Sequence, residues 1–182
     1  MNKKLLILPA IILSLIFTSC SDDDDVIDRI RTISDIPVTE NVNIDYLPIN
    51  LFEIPVETDL NVKQAIEAEL NTDEALDQVE EIELDDLKIT LVNADDQTNF
   101  DFVNSVKLGV RTADLEYLQV GQLETIPSGE TVLNLETTDA YVDEYVKSDD
   151  LKLVIEFEST EDANNLELQL DMEFDAKLDP SL

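Results

Sequence analysis

The sequence predicts an all-β sandwich, and three observations carry that prediction. Apolar residues alternate with polar ones over long stretches, the intervening positions are rich in Asp and Glu, and polar clusters separate one run from the next. Alternation of period two sets one side of a strand against a core and the other in water. The clearest run is at the C-terminus. There Leu166, Leu168, Leu170, Met172, Phe174, Ala176 and Leu178 hold one phase, and Glu167, Gln169, Asp171, Glu173, Asp175 and Lys177 hold the other. Leu151, Leu153, Ile155 and Phe157 mark a second strand. The polar run Ser159–Asn165 between the two has a length suited to a hairpin loop.

Earlier in the chain, strands are expected at Val38–Ile44, Leu51–Val56, Val79–Val92, Val103–Thr112, Tyr117–Leu123 and Thr131–Glu136. The third of these changes phase: Ile82 and Leu84 are even, whereas Leu87, Ile89 and Leu91 are odd. One extra residue at Asp85-Asp86 makes a β-bulge or a break there. Asn93–Asn99 and Pro127–Glu130 read as turns. Two helical insertions interrupt the strands. Asn61 with Gln64 three residues on resembles a capping box, and Val62, Ala65, Ile66 and Leu70 follow at helical spacing. Thr138 or Asp139 caps a second, short helix in which Tyr141 meets Tyr145 and Val142 meets Val146 at i, i+4. No internal repeat of fixed period is present. About eight strands with one or two short helical insertions predict a β-sandwich of Ig-like or related type over residues 29–182. The absence of a Cys–Trp–Cys signature excludes an antibody-type domain but not the architecture.

The N-terminus has a different character. Lys3 and Lys4 precede an uncharged run, Leu5–Phe17, too short for the ~20 apolar residues of a spanning helix. A short basic region, a short apolar region and small residues after it predict a secretory signal peptide over residues 1–19. Phe17-Thr18-Ser19-Cys20 resembles the bacterial lipobox, with phenylalanine where leucine is usual. That resemblance implies cleavage before Cys20 and acylation of its thiol and amine, a stable membrane tether because more than one chain is attached. Cys20 is the only cysteine, so no disulfide can form within the domain. Ser21, Asp22, Asp23, Asp24 and Asp25 follow it, and so dense a like-charge block stays solvated. An acidic stretch directly after the acylated cysteine resembles the surface-export signal of lipoproteins from the Bacteroidota. The resemblance implies display on the outer face of the outer membrane; the alternative is a spacer on a periplasm-facing lipoprotein. Residues 20–28 are thus the lipidated cysteine and its linker. The chain as a whole is similar to small sandwich lipoproteins of that group with no assigned activity.

Composition limits the partners. With 11 Lys and Arg against 43 Asp and Glu, the net charge is −32, and it becomes more negative once Lys3 and Lys4 are removed. Such a surface repels nucleic acid, whose binding needs clustered Lys and Arg. It is repelled by anionic lipid as well, so the tether on Cys20 and not the surface holds the protein to its membrane.

Chemistry is sparse. There is no histidine, which removes the commonest general base, triad partner and zinc ligand. Three glycines make no phosphate-cradling loop. Close carboxylate pairs are inevitable among 43 acidic residues, so a carboxylate-dependent hydrolase is the second alternative, and a non-enzyme is expected. Calcium is the one cofactor with candidate ligands. Asp95, Gln97, Asn99 and Asp101 alternate like the start of a calcium loop, but Phe100 and Val106 occupy the positions of the EF-hand glycine and bidentate glutamate. An irregular site on Asp95, Asp96 and Asp101 remains, against an ordinary turn. Glycan platforms use exposed aromatics; the chain has no tryptophan and four tyrosines, of which Tyr141 and Tyr145 are expected in the core. An unpaired edge strand with acidic flanks offers a basic envelope or extracellular protein a surface, and like charge discourages self-association. The expected function is a lipid-anchored, non-enzymatic binding or structural lipoprotein. The first alternative is a calcium-stabilised adhesin-like or glycan-binding accessory domain.

Overall fold

The computed structural model describes residues 32–56, 60, 62–70 and 78–179. Nine strands run through them: β1 (Thr32–Leu47), β2 (Asn50–Val56), β3 (Val79–Asn93), β4 (Val103–Arg111), β5 (Leu118–Leu123), β6 (Val132–Asn134), β7 (Glu136–Thr137), β8 (Lys152–Ser159) and β9 (Ala163–Leu178). Two short helices, α1 (Val62–Leu70) and α2 (Asp143–Val146), are inserted among them. Every strand expected from the alternation is present. The expected run Thr131–Glu136 divides: β6 pairs with β3, and β7 pairs with β5 in the other sheet.

The strands form a four-stranded sheet, β1-β9-β3-β6, and a five-stranded sheet, β2-β8-β4-β5-β7, with every pairing antiparallel. With the two-residue β7 set aside, the pairs β1–β9, β2–β8, β3–β6 and β4–β5 are nested. That is a long hairpin rolled up until each half of it supplies strands to both sheets, the order of a jelly roll. An Ig sandwich keeps its first two strands side by side in one sheet. Here β1 and β2 lie in different sheets, so the sandwich is of the related kind. The expected hairpin at Ser159–Asn165 is corrected by the same order, and the expected turn at Asn93–Asn99 is part of a crossing between sheets. Ser159–Asn165 joins β8 to β9 and Asn93–Asn99 lies between β3 and β4, and both carry the chain from one sheet to the other. A polar loop of this length serves either purpose, which is why the residues did not distinguish them.

The inner faces meet in one continuous apolar core. Val42, Leu87, Ile89, Leu168, Leu170 and Met172 come from the first sheet, and Val106, Leu108, Leu153, Ile155 and Phe157 from the second, all buried. Each is worth about 1.5–3 kcal/mol against exposure. Phe100 and Phe102 stack at 6.2 Å between ring centroids and close the core beneath the β3–β4 loop. α1 buries Val62 and Ile66 in the same core; the expected cap at Asn61 lies outside the described residues. α2 is a single turn that begins at Asp143, with Val142 at its N-cap and no side-chain cap bond, so the expected cap at Thr138 or Asp139 is corrected. Val142 and Val146 are buried as expected, whereas Tyr141 precedes the helix and is 53% exposed, so the core placement of that tyrosine is corrected.

The phase change in β3 is a bulge. Leu84 pairs with Phe174 and Asp86 with Glu173, leaving Asp85 as the extra residue and restoring Leu87 to the core. Two more bulges flank one point on β9. On β1 the register shifts between Ile33 and Ile36, with Asp35 at φ 60°; on β3 it shifts between Glu80 and Glu83, with Glu81 at φ 50°. Left-handed backbone costs a non-glycine residue roughly 1–2 kcal/mol. At β1, the Asp175 carboxylate offsets it by accepting from the Ser34 hydroxyl and the Asp35 N–H at 3.2 and 3.1 Å. At β3, Glu81 forms an ion pair with Lys177 at 2.6 Å.

Candidate functional site

Cys20 and Ser21 to Asp25 lie outside the described residues. The three expected calcium ligands divide between two clamps at one end of the sandwich. Asp96 accepts from the backbone and side-chain amides of Asn164, at 3.1 and 2.7 Å, and Asp95 accepts from the side chain of Asn165. Both therefore tie the β3–β4 loop to the start of β9. Asp101 turns to the β5–β6 loop, where it accepts from the Gly129 N–H at 2.7 Å and from the Ser128 hydroxyl. The Asn164 side chain is the main reason that the Asp96 carboxyl lies below the usual carboxylate range; the Gly129 N–H does the same for Asp101. Among the described residues, no three or more of His, Cys, Asp and Glu are grouped so as to hold a metal ion.

A second acidic group sits where the two bulges flank β9. Burial, then the charges of Asp175 and Asp139, push the Glu83 carboxyl upward. Lys177 lowers it, but that ammonium is bonded to Glu81, which also lies against the Tyr141 hydroxyl at 3.5 Å. Asp143 accepts from the Ile82 N–H at 3.2 Å and so joins α2 to the same stretch of β3. The arrangement is one of structural bonds around a crowded carboxylate.

The outer faces of the two sheets differ. On the four-stranded sheet, β9 presents Glu167, Gln169, Asp171, Glu173 and Asp175 in its outward phase. Asp171 holds Thr39 of β1 and Gln169, accepting at 2.9 and 3.0 Å. The face is acidic and without aromatic rings along these rows.

On the five-stranded sheet, the outward phase carries Ser105, Lys107, Gly109 and Arg111 on β4, Gln119 and Gln122 on β5, and Lys152, Glu156 and Glu158 on β8. Register aligns Glu156, Lys107 and Gln122 in one row, and Val154, Gly109 and Gln119 in the next. Arg111 stands opposite Lys152, and the Ser105 hydroxyl donates to Glu158 at 3.0 Å. Tyr117 lies over Gly109. A Cβ on Gly109 would collide with the tyrosine ring and stand 2.7 Å from the Leu118 carbonyl oxygen. Glycine inside a strand commonly marks such a close approach, and Gly109 is the signal that sequence reasoning passed over. Tyr117 as a residue is 37% exposed, and Val154, in the outward phase beside it, is fully buried. Gln119 donates to Gln122 at 2.9 Å. Next to them an open groove of 250 Å³ is lined by Ser105, Lys107, Gln122, Glu124 and Glu158, with Val106 and Leu123.

The interior offers less. A cavity of 10 Å³ between the sheets, lined by Leu60, Leu84, Leu108, Val120, Val146 and Phe174 among other apolar side chains, is the size of one water and has no polar group to hold it. Among the described residues no helix is long and apolar enough to cross a membrane. No protein-family model matches the chain, and the curated proteins contain no match to it.

Proposed function

We propose that this chain is a lipid-anchored lipoprotein of the outer membrane, displayed at the cell surface, whose domain binds or scaffolds and does not catalyse. The observation that carries the reading is the position of the only cysteine. Cys20 closes Phe17-Thr18-Ser19-Cys20 at the end of a short apolar run and is followed at once by Asp22–Asp25. Acyl chains on Cys20 supply an attachment that a surface of net charge −32 cannot. A sandwich with two broad outer faces, and with Asp95, Asp96 and Asp101 engaged in tying its loops together, fits a binding or structural role.

The test is fractionation and protease treatment of intact cells. Cys20→Ala leaves the domain folded and moves it to the soluble fraction, while replacement of Asp22–Asp25 by alanine leaves it acylated and protects it from external protease. Retention of Cys20→Ala in membranes overturns the anchor. Unchanged digestion of the aspartate replacement reduces that stretch to a spacer.

A further inference from the structure

We propose that the outer face of the five-stranded sheet, centred on Tyr117, is a binding site for an uncharged polysaccharide. This rests on the reading of the domain as a binding module and gives that module its site and ligand class.

Three features of the face point to sugar. The first is the ring itself, seated on the glycine of the central strand β4 and partly exposed among polar side chains. The apolar C–H face of a sugar ring stacks on such a surface. The second is the polar lining beside it. Gln119, Gln122, Lys107 and Glu156 occupy two adjacent rows across the strands and provide donors and acceptors in alternation, the pattern that a row of hydroxyl groups requires. The third is shape. The groove beside the Lys107–Gln122 row is open along the sheet surface and not enclosed, and it continues the polar row away from Tyr117, which suits a chain laid across the sheet.

Charge selects the class of polysaccharide. A net charge of −32 repels a polyanion at long range, and on this face Lys107, Arg111 and Lys152 share the rows with Glu156 and Glu158, so the face lacks the clustered excess of cations with which to overcome that repulsion. A ligand read by stacking and hydrogen bonds meets no such barrier.

Affinity electrophoresis of the full chain through native gels tests the site, with galactomannan, hydroxyethylcellulose, soluble starch and mixed-linkage β-glucan as uncharged ligands and alginate as the anionic one. At least one of the uncharged polymers retards the wild type. Tyr117→Ala weakens that retardation by about tenfold or more, equivalent to ~1.4 kcal/mol of lost contact. Tyr117→Phe keeps the ring and most of the retardation, and Gln122→Ala weakens it without touching the core. Thr39→Ala on the opposite face leaves binding unchanged. Circular dichroism of each variant separates loss of binding from loss of fold. Retardation by none of the uncharged polymers, retardation by alginate alone, or equal retardation of wild type and folded Tyr117→Ala overturns the site. The anchor is tested separately through Cys20, so either reading can fail alone.

Discussion

At the scale of the residue, Glu83 shows how an acidic shell costs stability. Its carboxyl is pushed above the ordinary carboxylate range by burial and by Asp175 and Asp139, so the folded chain holds that proton more tightly than the unfolded one. Stability from this group therefore falls as pH rises through a window just above the ordinary carboxylate range, and it is unaffected well below. Asp96, Asp101 and Asp150 work the other way. Hydrogen bonds hold them low, and their contribution is lost as pH falls below the ordinary range. Glu83→Gln removes the repulsion and keeps the shape. It raises the melting temperature at neutral pH by a small step, within the roughly 0.5 kcal/mol usual for a position that is not fully buried. The gain disappears in acid, and a variant no more stable than wild type at neutral pH would show that the crowding is already relieved. Tyr117 illustrates what single residues conceal. Its placement depends on Gly109, eight positions back across the β4–β5 turn, and neither residue announces the other in sequence.

At the scale of the element, the longest strands were legible because they set one wet face against one dry one. Alternation located eight runs, of which Thr131–Glu136 divides into β6 and β7, and the switch of phase at Asp85-Asp86 marks the bulge at Asp85. Sheet membership was not legible, since Ser159–Asn165 is equally polar whether it turns back within a sheet or crosses to the other. β1 carries more information still. It ends its sheet with 16 residues, whereas the other terminal strands are short or contain proline: β6 has three residues, β7 has two, and β2 contains Pro55. β1 interrupts its own edge with the Asp35 bulge, Pro37, and Glu40 in the phase otherwise held by Ile36, Val38, Val42 and Ile44. A bulge, a proline and an inward-phase charge are the devices that discourage one edge from pairing with another. Glu40→Val completes the apolar phase and is expected to give dimers or larger species in sedimentation velocity where the wild type gives one slower species. A variant that sediments as the wild type does would assign protection to the other two devices.

At the scale of the whole molecule, charge and topology act separately. Net charge −32 strains the folded state through self-repulsion that salt screens. Sodium chloride therefore raises the melting temperature, by roughly 2–4 °C for each ~1 kcal/mol of relief. Calcium chloride at matched ionic strength is expected to add nothing further, because Asp95 and Asp96 hold the start of β9 while Asp101 holds the β5–β6 loop. A saturable rise with calcium would show a specific site. The acidic composition was plain in the sequence, and so was the lack of histidine. The face around Tyr117 was not, because it is assembled from β4, β5 and β8, whose adjacency is a property of the jelly-roll order and not of any one segment.

The nested pairing also fixes how the domain meets force. β1 and β9 are neighbours along their full length, from Thr32 opposite Lys177 to Leu47 opposite Ala163. A pull entering at Thr32 and resisted at the β1–β2 and β8–β9 loops acts along β1, so all the rungs between those two pairs are sheared together and share the tension. A pull applied between Thr32 and Leu178 separates adjacent strand ends and opens the same rungs one at a time. A domain tethered through its N-terminal side and grasped at its far loops is thus loaded in its mechanically stronger direction.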